Sequence, residues 1–139
     1  MDCKKQNGTR RLKRRISLPK ASLTNYLKGT RWALSHQSAG SAQRLADWGI
    51  GKYFDLVIAS ADEGVEKPNP EIFKIALERA NCLPENAVMV GDRIDNDILP
   101  AKKLGIKTVW LKQGFAKYQP ESDVPDYTIQ TLETISKVM

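Results

Sequence analysis

The sequence predicts an α/β fold carried on a parallel sheet with crossover helices, and three observations predict it. Short apolar runs recur at Trp32-Ala33-Leu34, Leu56-Val57-Ile58-Ala59, Ala87-Val88-Met89-Val90 and Thr108-Val109-Trp110-Leu111. Each run is continuous and does not alternate with polar residues, the pattern of strands buried on both faces. Helix-like stretches lie between the runs, and that alternation marks β-α-β units. Polar clusters follow three of the runs directly, at strand carboxyl ends, where open α/β sheets place their ligands.

The elements can be justified in chain order. Residues 1–20 lack apolar periodicity and are crowded with cations, so self-repulsion predicts a disordered basic arm. Residues 21–139 are read as one α/β domain. Leu23, Tyr26 and Leu27 recur at helical spacing before Gly29, a C-terminal stop. After the Trp32 strand comes a helix whose apolar face is Leu45 and Trp48, and Tyr53-Phe54-Asp55 leads into the Leu56 strand. The next helix has complete boundary chemistry: Asn69 as N-cap, Pro70 at the first position, Glu71 against the dipole, then Ile72, Phe73, Ile75, Ala76 and Leu77 as its apolar face. A helix is expected from Asp97 to Leu104, closed by Gly105, with Pro100 tolerated inside the first turn. A short strand at Tyr127-Thr128-Ile129 and a terminal helix from Thr131 complete the unit. Internal repeats and low-complexity segments are absent.

Composition bounds the function. The chain has 139 residues, 41% hydrophobic, enough for one domain. Its net charge of +6 divides unevenly: residues 1–31 carry ten basic side chains against Asp2, a balance of +9, which leaves −3 for the remaining 108 residues. Basicity therefore belongs to the arm. No apolar stretch approaches the roughly 20 residues of a membrane span. Two cysteines, Cys3 and Cys82, are too few for a disulfide framework and no Cys/His spacing suits zinc, so the expected location is a reducing cytoplasm. The N-terminus has no secretory h-region, although its Arg-rich, acid-poor composition loosely fits a transit peptide.

The three polar clusters carry the chemistry. Ser35-His36-Gln37-Ser38-Ala39-Gly40 offers a hydroxyl and free backbone N–H groups ahead of a helix, an arrangement that receives phosphate; capping by Ser38 or Ser41 is the competing reading. In Glu66-Lys67-Pro68-Asn69-Pro70 the proline restricts the backbone of Lys67, so its ammonium is aimed and can neutralise a phosphoryl oxygen or nearby carboxylates; a solvated loop lysine is the alternative. Gly91-Asp92-Arg93-Ile94-Asp95-Asn96-Asp97 places three acids within six residues, which repel unless a cation sits among them. Their oxygens suit Mg²⁺, which takes one or two protein carboxylates and keeps waters. Acid enrichment at a helix start would explain Asp95 and Asp97, but not Asp92, which precedes the helix.

Hydroxyl, lysine and acidic pair in this order resemble motifs II, III and IV of the haloacid dehalogenase (HAD) superfamily. The surrounding residues match as well: Tyr53-Phe54-Asp55, Glu66-Lys67-Pro68 with Pro70-Glu71-Ile72-Phe73, and Gly91-Asp92 followed by Asn96-Asp97-Ile98, over a stretch from about Trp32 to Ile135. The resemblance implies a three-layer Rossmann-like fold and a Mg²⁺-dependent phosphatase of small phosphorylated metabolites. Ser35 would hydrogen-bond the transferred phosphoryl group and Lys67 would offset its charge. Asp92 would bind Mg²⁺ directly, while Asp97 would support the metal site from behind or orient Lys67. Gln37 and Asn96 would be supporting polar groups, and His36 a loop residue near the site.

One family motif has no counterpart. The nucleophile of these enzymes lies in Asp-x-Asp-x-Thr after a buried strand, and the 139 residues contain no such sequence. Phe54-Asp55-Leu56-Val57 enters a strand instead of leaving one, and Asp2 has no apolar strand before it. The family's nucleophile also ligates Mg²⁺ and its second aspartate protonates the leaving group, so the expectation is a truncated core, inactive alone, with weakened metal binding. In the family's strand order, 3-2-1-4-5, the missing strand is the central first one, and the cap domain is missing too. The flanking strands are expected to pair directly; insertion of Arg15-Ile16-Ser17-Leu18, a complementing chain or a second copy of this one are the other ways to close the sheet. The alternative function is a non-catalytic binding module whose basic arm contacts an anionic surface. Residues 1–20 hold no aromatic platform for base stacking, so nucleic acid is not the expected partner and any such contact would be nonspecific.

Overall fold

A computed structural model of the chain describes residues 33–36 and 40–138. The basic arm, the expected helix at Leu23–Leu27, Trp32 and Gln37 lie outside the described residues. The strands and α-helices follow in the order β1 (Ala33–His36), α1 (Ser41–Asp47), β2 (Leu56–Ala59), a one-turn α2 (Ser60–Glu63), α3 (Glu71–Ala80), β3 (Val88–Gly91), α4 (Leu99–Lys103), β4 (Lys107–Leu111) and β5 (Tyr127–Ile129), and a 3₁₀ segment (Leu132–Lys137) comes after them.

The apolar runs form the strands, and among the described residues all pairings are parallel. β1 pairs with β2, placing Ser35 opposite Ile58 and His36 opposite Ala59. β3 pairs with β4 and β4 with β5, with Gly91 opposite Trp110 and Leu111 opposite Ile129. Thr108, Val109 and Trp110 are fully buried in succession. Neighbouring strand residues point to opposite faces, so β4 is covered on both, as its unbroken apolar run predicts.

The expected direct pairing of the strands flanking the family's central position is not formed. Among the described residues the sheet divides into β1-β2 and β3-β4-β5, and β1 and β3 share no ladder. Side-chain packing joins the two parts instead. Ile58 of β2, Ile72 and Phe73 of α3, Ala101 of α4 and Ile106 form one buried cluster, and Met89 of β3 packs against it.

Local chemistry explains most boundaries. Asn69 Oδ1 accepts the Glu71 backbone N–H at 3.0 Å, the capping role its sequence position predicts. Asn81 ends α3 with a left-handed φ of 48°. Pro100 sits in the first turn of α4, where its missing N–H costs nothing. At the amino ends of β4 and β5, the Asp126 carboxylate accepts from the Thr108 backbone N–H and hydroxyl, each at 2.8 Å, and from Lys102 Nζ at 2.9 Å. The Lys102 and Thr108 bonds together hold the Asp126 pKa down at about 2.

Three expectations are corrected. Trp48 is not part of an apolar helix face: it follows α1 as its C-cap and is exposed, while Leu45 is buried there together with the polar Ser41. The stretch from Thr131 closes as 3₁₀ turns and not as an α-helix. The helix expected from Asp97 begins earlier, as a wide turn over Ile94–Ile98 in which the N–H of Ile98 donates to the carbonyl of Arg93 at 3.2 Å. The next N–H, that of Leu99, likewise reaches back five residues, to the carbonyl of Ile94.

Candidate active site

The candidate residues gather at strand carboxyl ends. Ser35 and His36 close β1 beside Ile58 and Ala59 of β2. Gly91 closes β3, and Asp92 follows it into solvent. Lys67 stands on the loop between α2 and α3, anchored by Val65, which packs on the main core. Its peptide bond to Pro68 is cis.

Lys67 and Asp97 are in direct contact. Lys67 Nζ donates to Asp97 Oδ1 at 2.6 Å, with only 13% and 6% of the two side chains exposed. Lys67 is thus not a solvated loop lysine. The other Asp97 oxygen accepts the backbone N–H of Arg93 at 3.2 Å. Desolvating two charges is costly, and this pair offsets that cost by being hydrogen-bonded as well as opposite in sign.

The three neighbouring acids resolve into different environments. Asp95 points outward and is gripped by both ends of the Arg93 guanidinium, at 3.1 and 2.6 Å. That grip holds the Asp95 carboxyl below the usual carboxylate range and raises the Arg93 guanidinium further. Asp97 is turned inward onto Lys67. Asp92 remains exposed at the strand end, and its carboxylate accepts no hydrogen bond from a described residue. Asn96 is half-buried in the wide turn. The predicted repulsion among the acids is thus relieved by two cations, Lys67 and Arg93.

The donor set can be tested against Mg²⁺. No group of three or more His, Cys, Asp or Glu side chains among the described residues is arranged to hold a metal ion. Both Asp97 oxygens are engaged, which leaves Asp92 as the available carboxylate. One acceptor-only carboxylate at an exposed strand end fits the share of a Mg²⁺ shell that a single residue supplies when waters and substrate oxygens fill the rest.

Three residues have contacts or burial that residue type alone does not announce. A Cβ on Gly91 would lie 2.4 Å from Asp97 Cβ, so this glycine admits the aspartate against the backbone. A glycine at the end of an apolar strand is the available signal for such close approach. Trp110 Nε1 donates to the carbonyl of Asp92 at 3.0 Å, a contact spanning 18 residues that no local pattern announces. Ser60, directly after β2, is buried with a hydroxyl that lacks a hydrogen-bond partner among the described residues, and a lone serine carries no signal at all.

A family model described as HAD-hydrolase-like matches residues 65–135. A glyceraldehyde 3-phosphate phosphatase from Pyrococcus furiosus is 46% identical over 92 residues, covering 65% of this chain and 38% of that protein. The pyrimidine 5'-nucleotidase YjjG from Escherichia coli is 38% identical over 103 residues, covering 73% of this chain and 45% of that protein. Matches to these curated relatives thus span less than half of their length. The crystal structure of a HAD phosphatase from Thermococcus onnurineus superposes with a TM-score of 0.76 at 30% identity, over 86% of this chain and 55% of that one. The Lys67–Asp97 pair and Asp92 fall inside the matched segment, which is just over half of the sequence, and the chain belongs to the HAD-hydrolase-like family.

Proposed function

We propose that this chain carries the phosphate- and metal-binding part of a Mg²⁺-dependent phosphatase for small phosphorylated molecules, and that it is inactive alone. The observation that carries the reading is the buried Lys67–Asp97 pair beside the exposed Asp92 at the carboxyl end of β3. A lysine fixed by a buried carboxylate presents its remaining N–H groups in a set direction, which suits stabilising a phosphoryl group whose charge is redistributed during transfer. In this reading Ser35 and Gln37 hydrogen-bond the phosphoryl oxygens, Asp92 takes the Mg²⁺, Asp97 orients Lys67, and Asn96 supports the turn. Mg²⁺ when bound would neutralise phosphoryl charge. The phosphatase names of the relatives support the reaction class, and their differing substrates support no single metabolite.

Inactivity follows from the missing nucleophile: no Asp-x-Asp-x-Thr occurs in the sequence. The divided sheet supports a further element of the reading, that a parallel strand bearing that motif, from a complementing polypeptide or another copy, belongs between β1 and β3. The test is hydrolysis of p-nitrophenyl phosphate with Mg²⁺, using the chain alone and mixed with a polypeptide containing the motif I strand. No turnover alone, turnover in the mixture and its loss in Asp92→Asn are the expected results. Turnover by the chain alone would overturn its inactivity, and a silent mixture in which the two polypeptides demonstrably associate would overturn the phosphatase reading.

A further inference from the structure

Resting on the metal role of Asp92 proposed above, we infer that Trp110 is a positioning residue for that carboxylate, acting through a single peptide plane clamped at both poles. The carbonyl of Asp92 and the N–H of Arg93 belong to one rigid peptide unit. Its oxygen accepts from the Trp110 indole N–H at 3.0 Å, and its N–H donates to Asp97 Oδ2 at 3.2 Å. Asp97 is held in turn by Lys67 at 2.6 Å. The plane that fixes the direction in which the Asp92 side chain leaves the backbone is therefore tied on one side to the phosphate-facing lysine and on the other to the core of β4.

Trp110 is suited to be the fixed end of this clamp. It is completely buried and packs with Ile98 and Ala116 in a second hydrophobic cluster. The ammonium of Lys112 lies 5.1 Å from the centroid of its ring, and Lys112 is itself buried and paired with Glu121. A cation over the ring opposes tilting of the indole and so keeps the N–H aimed at Asp92. A buried tryptophan needs a partner for its N–H, and any backbone carbonyl would satisfy that need. Here the acceptor is the carbonyl of the one site carboxylate left open for metal.

The test separates positioning from plain core packing. Trp110→Phe keeps an aromatic ring and deletes the N–H. Its Mn²⁺ affinity, measured by electron paramagnetic resonance titration, is expected to fall by about 10-fold, the scale seen when a group that orients a metal ligand is lost. Hydrogen exchange at the Arg93 amide should accelerate while exchange along α3 stays unchanged. Lys112→Met, which leaves the N–H in place, should alter affinity less than Trp110→Phe does. Unchanged affinity and unchanged Arg93 exchange in a folded Trp110→Phe protein would overturn the inference. Should that variant fail to fold, the indole ¹H–¹⁵N signal of Trp110 in the wild-type chain decides: it should shift on Mg²⁺ addition and stop shifting in Asp92→Asn, and a signal blind to Mg²⁺ in a metal-binding chain overturns the role. A wild-type chain that binds no Mn²⁺ would instead sink the metal reading, leaving the clamp to be judged by Arg93 exchange alone.

Discussion

Asp97 packs directly onto the backbone of Gly91: a methyl group there would meet its Cβ at 2.4 Å and its Cγ and Oδ2 at 2.7 Å. The strand end and the buried ion pair are thus a single packing unit. Gly91→Ala cannot be absorbed by a flexible side-chain tip, because Asp97 is fixed by both Lys67 and the Arg93 N–H. A loss of about 1–3 kcal/mol is expected, the cost of overpacking a tight site. Urea unfolding midpoints with an unchanged slope would measure it, and a midpoint equal to wild type would contradict the contact.

Removing one member of the Lys67–Asp97 pair should hurt more than removing both. Lys67→Met leaves a buried carboxylate with one backbone donor, and a destabilisation of about 3 kcal/mol is expected. Lys67→Met combined with Asp97→Leu exchanges the pair for apolar groups and should recover much of that loss. A double-mutant cycle in chemical denaturation checks this; additive losses would mean that the two charges do not interact.

Asp92→Asn should leave stability within about 0.5 kcal/mol of wild type, since an exposed carboxylate without a hydrogen-bonding donor contributes little to folding. The same change should abolish Mg²⁺-dependent shifts in the amide spectrum around β3. Persistent shifts of equal size in the variant would place the metal elsewhere.

Acid should weaken the β4–β5 end of the domain through Asp126. Its folded pKa of about 2 lies below the ordinary value of 3.8, so its stabilisation is fully present above pH 4 and fades as pH falls toward 2. Because Lys102 and Asp126 are 42% and 37% exposed, solvent screening reduces this contribution to about 1 kcal/mol. The stability gap between wild type and Asp126→Asn, followed by thermal unfolding at fixed ionic strength, should therefore close over that interval. A gap constant from pH 5 to pH 2 would contradict the assignment.

How far the sequence could be read depended on whether the governing interaction was local. Asn69 and Pro70 shape the start of α3 through bonds a few residues long, and Leu56–Ala59 appears as a strand because its apolar run has to be buried. Trp48 misled because apolar character alone does not say that a helix has already ended. The wide turn at Ile94–Ile98 was missed because residue types there do not tell a hydrogen bond reaching back five residues from one reaching back four. Lys67, Asp92 and Asp97 stood out by residue type and order, whereas Trp110 was read only as strand filling, because its partner lies 18 residues away. The pairing of β1 was misjudged for a comparable reason: which strands become neighbours is a tertiary outcome, and no stretch of sequence displays it.

The cluster of Ile58, Ile72, Phe73, Ala101 and Ile106 has a thermodynamic consequence. It draws on β2, α3, α4 and the approach to β4, so neither part of the divided sheet can melt without stripping apolar surface from the other. Cooperativity between the two parts is thus transmitted by side chains, with no ladder of backbone hydrogen bonds between β1 and β3. The chain should lose its structure in one transition, with probes in β2 and in β4 reporting the same midpoint.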